Sequence, residues 1–128
     1  MATKVIDASA LGALVFGEPQ ASAIAEQLRE SELIAPSLLP FEMASICLKK
    51  ARRHLAQRNT LIEALGLAGR MPIALHDVDH IEVLALAERE NLSTYDASYL
   101  WLALARRSEL VTLDRDLATA AARRTRPR

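Results

Sequence analysis

Four short aliphatic runs, separated by longer helical patterns, constrain this chain more than any other feature of its sequence. "KVID" (4–7), "LIAPS" (33–37), "PIALHDV" (72–78) and "ELVTLD" (109–114) have the β-branched and aliphatic make-up of strands. Strands alternating with helices make crossover units, and crossover units build a parallel sheet with helices on its faces. The expected fold class is α/β, a three-layer α/β/α sandwich around a central parallel sheet.

The helical stretches carry their own start and stop signals. Pro19 opens a helix expected to reach about Glu30, and Pro40 stands near the start of another reaching about His54. Thr60 with Glu63, Asp79 with Glu82 and Ser93 with Asp96 all have capping-box spacing, while Gly69 and Asn91 read as stops. Of the 128 residues 51% are hydrophobic and only 4% aromatic, so the core must be built from Ala, Leu, Ile and Val, which favours helices packed closely on a flat layer. One compact domain, residues 1–128, accounts for that length. The basic, proline-broken stretch "ARRTRPR" (122–128) is expected to fray.

Sixteen basic and sixteen acidic residues cancel, so any nucleic-acid partner must be met by local charge. The single cysteine, Cys47, excludes an internal disulfide; among apolar helix residues it reads as a buried, reduced thiol of a cytoplasmic protein. Asp7 interrupts the apolar opening, and no uncharged run approaches the ~20 residues of a membrane span.

Four acids stand at strand ends or helix starts. Asp7 ends the first strand, Glu42 lies in the first turn of the helix after the second, Asp96 opens the helix before the fourth, and Asp114 ends the fourth. In a parallel sheet with right-handed crossovers such positions fall along one edge, where these folds bind ligands. Each acid alone is explained as an N-cap or as a complement to a helix dipole, worth about 0.3–2 kcal/mol. Converging, they repel one another unless a cation sits among them, and hard oxygen donors without His or Cys suit Mg²⁺ or Mn²⁺.

"VIDASAL" (5–11), "PFEMAS" (40–45), "YDASYLWLA" (95–103) and "LVTLDRDL" (110–117) resemble, in order and spacing, the four acidic motifs of PIN-domain ribonucleases, in particular the small VapC-type toxins of toxin–antitoxin pairs. The resemblance covers nearly the whole chain. It implies a Mg²⁺- or Mn²⁺-dependent endoribonuclease with an RNA substrate and a cognate antitoxin protein. It also implies a site of Asp7, Glu42, Asp96 and Asp114, with Asp7, Asp96 and Asp114 as direct metal ligands, Asp116 as an outer acid, and Ser9 and Thr112 as supporting hydroxyls. Members of the family usually add a fifth short strand after the last helix, where this sequence has "RRTRPR".

Lys49, Arg52 and Arg53 share a helical face within an acid-free basic run, so they read equally as a solvated surface or as contacts to RNA phosphates. Tyr95, Tyr99 and Trp101 read as core or helix-packing residues. The Ala-Leu helices offer apolar faces for a homodimer or an antitoxin helix, although core burial explains most of them. Two rival functions are a non-catalytic PIN-like module that only binds a protein, and a phosphohydrolase using the D-x-D of "DRDLA" (114–118). The second, like a receiver domain, wants its acidic pair after the first strand, which here ends in "DAS".

Overall fold

In the computed structural model, which describes residues 1–125, four strands form one parallel sheet: β1 (Ala2–Ile6), β2 (Ser31–Pro36), β3 (Ile73–His76) and β4 (Glu109–Val111). The spatial order is β3-β2-β1-β4. Helices α1 (Ala8–Val15) and α2 (Ala21–Gln27) link β1 to β2. Helices α3 (Leu39–Arg53) and α4 (Arg58–Gly69), with a 3₁₀ turn at Leu55–Gln57 between them, link β2 to β3. Helices α5 (His80–Glu90) and α6 (Thr94–Arg106) link β3 to β4, and α7 (Arg115–Thr125) follows. The first three strands advance in one direction from β1, and the chain then crosses back to lay β4 on the other side of β1. That reversal puts α1, α3 and α4 in contact with one another on one face, and α5, α6 and α7 together on the other. The three-layer α/β/α arrangement expected from the alternation is the one observed.

The core lies between these layers. Val5 and Ile6 of β1, Ile34 and Ala35 of β2 and Val111 of β4 are buried against Leu11, Met43, Tyr99, Leu100, Leu102 and Leu117 of the helices. Cys47 is buried in a smaller cluster with Ala51 and Leu61 between α3 and α4. Gly12 of α1 lies against α3, where a Cβ added to it would be in ordinary contact with Ile46 Cδ1 at 3.5 Å.

Several boundaries differ from expectation for identifiable reasons. β4 stops at Val111, not Asp114, because side-chain hydroxyls take the backbone N–H groups that would have continued the ladder: Leu113 N–H donates to Ser9 Oγ and Asp114 N–H to Thr112 Oγ1, both at 2.9 Å. Thr60 does not cap α4. The 3₁₀ turn runs straight into that helix, which begins at Arg58 with Gln57 at its N-cap, so Thr60 is already inside. Asp79 and Ser93 do cap, accepting from the N–H groups of Glu82 and Asp96, and Asn91 ends α5 with φ of 54°. Of the stretch expected to fray, residues 122–125 belong to α7, where Arg123 and Arg124 both hold Glu90; residues 126–128 lie outside the described part. Among the described residues no helix is long and apolar enough to cross a membrane.

Candidate active site at the sheet edge

The switch in strand order falls between β1 and β4, and the backbone crosses it directly, with Asp7 N–H donating to the Val111 carbonyl at 3.2 Å. Here the C-terminal ends of two neighbouring strands feed helices on opposite faces. A crevice at such a point is where open α/β sheets place ligands.

Asp7 is the best-anchored residue of the crevice. Only 4% exposed, it caps α1: Oδ1 accepts from Ala10 N–H at 2.9 Å and from Ser9 Oγ at 2.7 Å, while Oδ2 accepts from Thr112 Oγ1 at 2.5 Å. Three of about four acceptor positions on the carboxylate are thus engaged, and one is left. Burial nonetheless raises its pKa, against the lowering effect of those bonds, and the nearby Asp114 raises it further. Ser9 and Thr112 each accept a backbone N–H while donating to Asp7, which ties together the segments that follow β1 and β4.

Asp114 caps α7, its Oδ1 accepting from Leu117 N–H at 2.8 Å. Asp96 is half-buried at the start of α6; the cap of that helix uses its backbone N–H, bonded to Ser93 Oγ at 3.0 Å. Its pKa is raised by burial first, then by Asp114 and Asp7, with Ser93 acting the other way and Asp116 adding a smaller push upward. Glu42, in the first turn of α3, accepts from the Tyr99 hydroxyl at 2.7 Å, and its pKa is raised by burial, Asp96 and Asp7. Asp7, Glu42, Asp96 and Asp114 therefore share one electrostatic neighbourhood built from both helical layers. Among the described residues none of them is in an ion pair.

Oxygen donors crowded at a sheet edge, with Asp7, Glu42 and Asp96 each made costlier to ionise by burial and by neighbouring carboxylates, are the chemistry a hard divalent cation relieves. As they stand, no three His, Cys, Asp or Glu side chains among the described residues are gathered closely enough to hold an ion. The donor set fits such an ion; side-chain closure or bridging water would have to complete the shell.

The remaining candidates lie outside this knot. Asp116, exposed in the first turn of α7, touches the cluster only through its field on Asp96. Lys49, Arg52 and Arg53 are exposed on α3, and among the described residues none is in an ion pair; their neighbour Lys50 is taken by Glu18. The aromatic residues divide three ways. Tyr99 is buried in the core yet turns its hydroxyl to Glu42, Trp101 packs and donates to Glu82 at 2.9 Å, and Tyr95 is 63% exposed. Sequence reasoning missed both the Tyr99–Glu42 bond and the exposure of Tyr95. The four-residue step from 95 to 99 puts both on adjoining parts of one helical face, but which tyrosine turns inward depends on how α6 sits against the sheet.

The sequence pattern of the PIN domain matches residues 4–123. The chain is 34% identical over 119 residues to Ribonuclease VapC3 of Pyrobaculum aerophilum, covering 89% of this chain and 91% of that protein. It is 36% identical over 115 residues to Ribonuclease VapC9 of Mycobacterium tuberculosis, covering 86% and 84%. In three dimensions it is similar to the crystal structure of PAE2754 from Pyrobaculum aerophilum, with a TM-score of 0.77 and 26% identity over 93% of this chain and 84% of that one.

Proposed function

Because this chain belongs to the PIN-domain family, we propose that it is a metal-dependent endoribonuclease, the toxin of a toxin–antitoxin pair, acting in the cytoplasm on RNA phosphodiester bonds. The observation that carries the proposal is the gathering of Asp7, Glu42, Asp96 and Asp114 at the β1/β4 switch point, with each pKa shift in the group traced partly to another member. The names of the two ribonuclease relatives support the substrate class.

Asp7, Asp96 and Asp114 would hold Mg²⁺ or Mn²⁺. When bound, such an ion lowers the pKa of a water and neutralises charge building on phosphoryl oxygens. The chain's own residues do the rest. Ser9 and Thr112 are positioning residues: their bonds leave the Asp7 carboxylate a single orientation. Glu42, with its raised pKa and a neutral phenol against one oxygen, is suited to take a proton from an attacking water and keep it. Asp116 adds an outer negative charge. Lys49, Arg52 and Arg53 supply the cations for phosphates flanking the cut. The antitoxin, and a second copy in a homodimer, have exposed apolar side chains available in Leu55, Ile62 and Leu67 along the α3–α4 hairpin.

The test is cleavage of total RNA in Mn²⁺ by the wild type, Asp7→Asn and Asp114→Asn. Both variants should lose cleavage at least a hundredfold, on the order of what one displaced catalytic group costs, while retaining a cooperative melt. Undiminished cleavage by either folded variant contradicts the assignment.

A further inference from the structure

Beside the carboxylates lies an open groove of about 480 Å³ between α3 and the start of α6, with Phe41, Glu42, Ser45, Lys49 and Tyr95 in its lining together with Leu38 and Ile46, which are half-buried and pack against the core. The chain has two Phe, two Tyr and one Trp. Phe16, Tyr99 and Trp101 are buried or partly buried, whereas Phe41 is 85% and Tyr95 63% exposed. The two rings that the fold leaves in water line the same groove, on different helices, and each is the immediate sequence neighbour of a carboxylate, Glu42 or Asp96. Along α3, Phe41, Ser45 and Lys49 recur every four residues and so form one stripe, giving in order a π-face, a hydroxyl and a cation. A protein helix docking here would want a continuous apolar stripe. A ring followed by a hydroxyl and a cation that is in no ion pair among the described residues fits a single-stranded nucleotide, whose base stacks and whose phosphate takes the charge.

We propose that this groove holds one unpaired base of the RNA substrate, stacked on Phe41 and Tyr95, with Lys49 on the adjoining phosphate. The proposal rests on the ribonuclease reading above and adds a base subsite to it. By seating a base next to Glu42 and Asp96, the groove sets which phosphate reaches the acidic edge. Because every base has a π-face, stacking alone confers only modest sequence preference.

The test uses a single-stranded RNA carrying 2-aminopurine, whose fluorescence is quenched on stacking. Binding is followed in EDTA at low salt, and KM is measured separately in Mn²⁺. Wild type should quench the probe. Phe41→Ala with Tyr95→Ala should remove the quench, weaken binding roughly tenfold or more, as expected for lost base stacking, and raise KM. Phe41→Trp with Tyr95→Phe should restore both. Ile81→Ala, an exposed apolar residue on α5, should change neither. A wild type that fails to quench the probe overturns the subsite, as does a double alanine variant with unchanged quench and KM. If that variant handles RNA normally but sediments as a smaller species, the rings belong to a protein contact and the subsite is again overturned. Wild-type cleavage with an unaffected double variant leaves the ribonuclease standing without the subsite; a ring-dependent quench without any cleavage does the reverse.

Discussion

At the scale of single residues, burial and hydrogen bonding act in opposition on the acidic edge. The pKa values of Asp7, Glu42 and Asp96 are all raised, burial being the largest cause in each. An acid whose folded pKa lies above its unfolded value contributes stability below the unfolded pKa and loses it as pH rises through the folded one. At neutral pH these three therefore weigh against the fold, and the donors around them limit the cost. Tyr99 isolates one such donor. Its own pKa is raised by burial and by Glu42, so its hydroxyl keeps its proton and donates. Tyr99→Phe leaves the half-buried Glu42 without that bond and should destabilise the protein by about 1–2 kcal/mol at neutral pH. The variant pushes the Glu42 pKa higher still, so its deficit should shrink as pH falls toward the carboxylate range, where Glu42 is protonated. Urea denaturation of both proteins across that range checks it; a deficit independent of pH would mean that the phenol contributes only packing.

At the scale of elements, the architecture was legible wherever hydrophobic pattern decides structure. All four strands lie where aliphatic runs placed them, and Asp79, Asn91 and Ser93 act as caps and stops because their chemistry is local. Legibility failed where a distant partner decides. No reading of "ELVTLD" alone shows that Ser9, 104 positions from Leu113, takes the N–H that would have extended β4. Nothing in "ARRTRPR" shows that Glu90 on α5 holds Arg123 and Arg124. The four carboxylates were legible because topology alone sends strand ends and helix starts to one edge; their donors were not, because side-chain bonds follow tertiary packing. The exposed cations of α3 belong to this scale. If Lys49, Arg52 and Arg53 lie along RNA phosphates, replacing all three with Gln should flatten the salt dependence of RNA binding by roughly one unit of slope per lost contact. Fluorescence anisotropy across a salt series reads that slope, and an unchanged value makes them a solvated face.

At the scale of the whole molecule, α6 joins the carboxylate edge to the core: Asp96 lies at its start, while Ala97, Leu100, Leu102 and Ala103 are buried. The central claim is that Asp96 belongs to a carboxylate cluster completed by a divalent ion, and is more than a first-turn acid. The two readings differ in sign. The Ser93 cap of α6 uses the backbone N–H of Asp96 and survives truncation of its side chain. A helix-dipole acid contributes about 0.3–1 kcal/mol that Asp96→Ala removes with or without metal, whereas a member of a repelling cluster gives up stored repulsion when deleted. The measurement is the thermal melt of wild type and Asp96→Ala, each in EDTA and in Mn²⁺. Mn²⁺ at one hundred times its dissociation constant should stabilise wild type by ~2.7 kcal/mol, roughly 10 °C for a domain of this size. Asp96→Ala should melt at or above wild type in EDTA and lose the Mn²⁺ shift. An Asp96→Ala protein that melts lower in EDTA and keeps the full Mn²⁺ shift would contradict the metal-completed cluster.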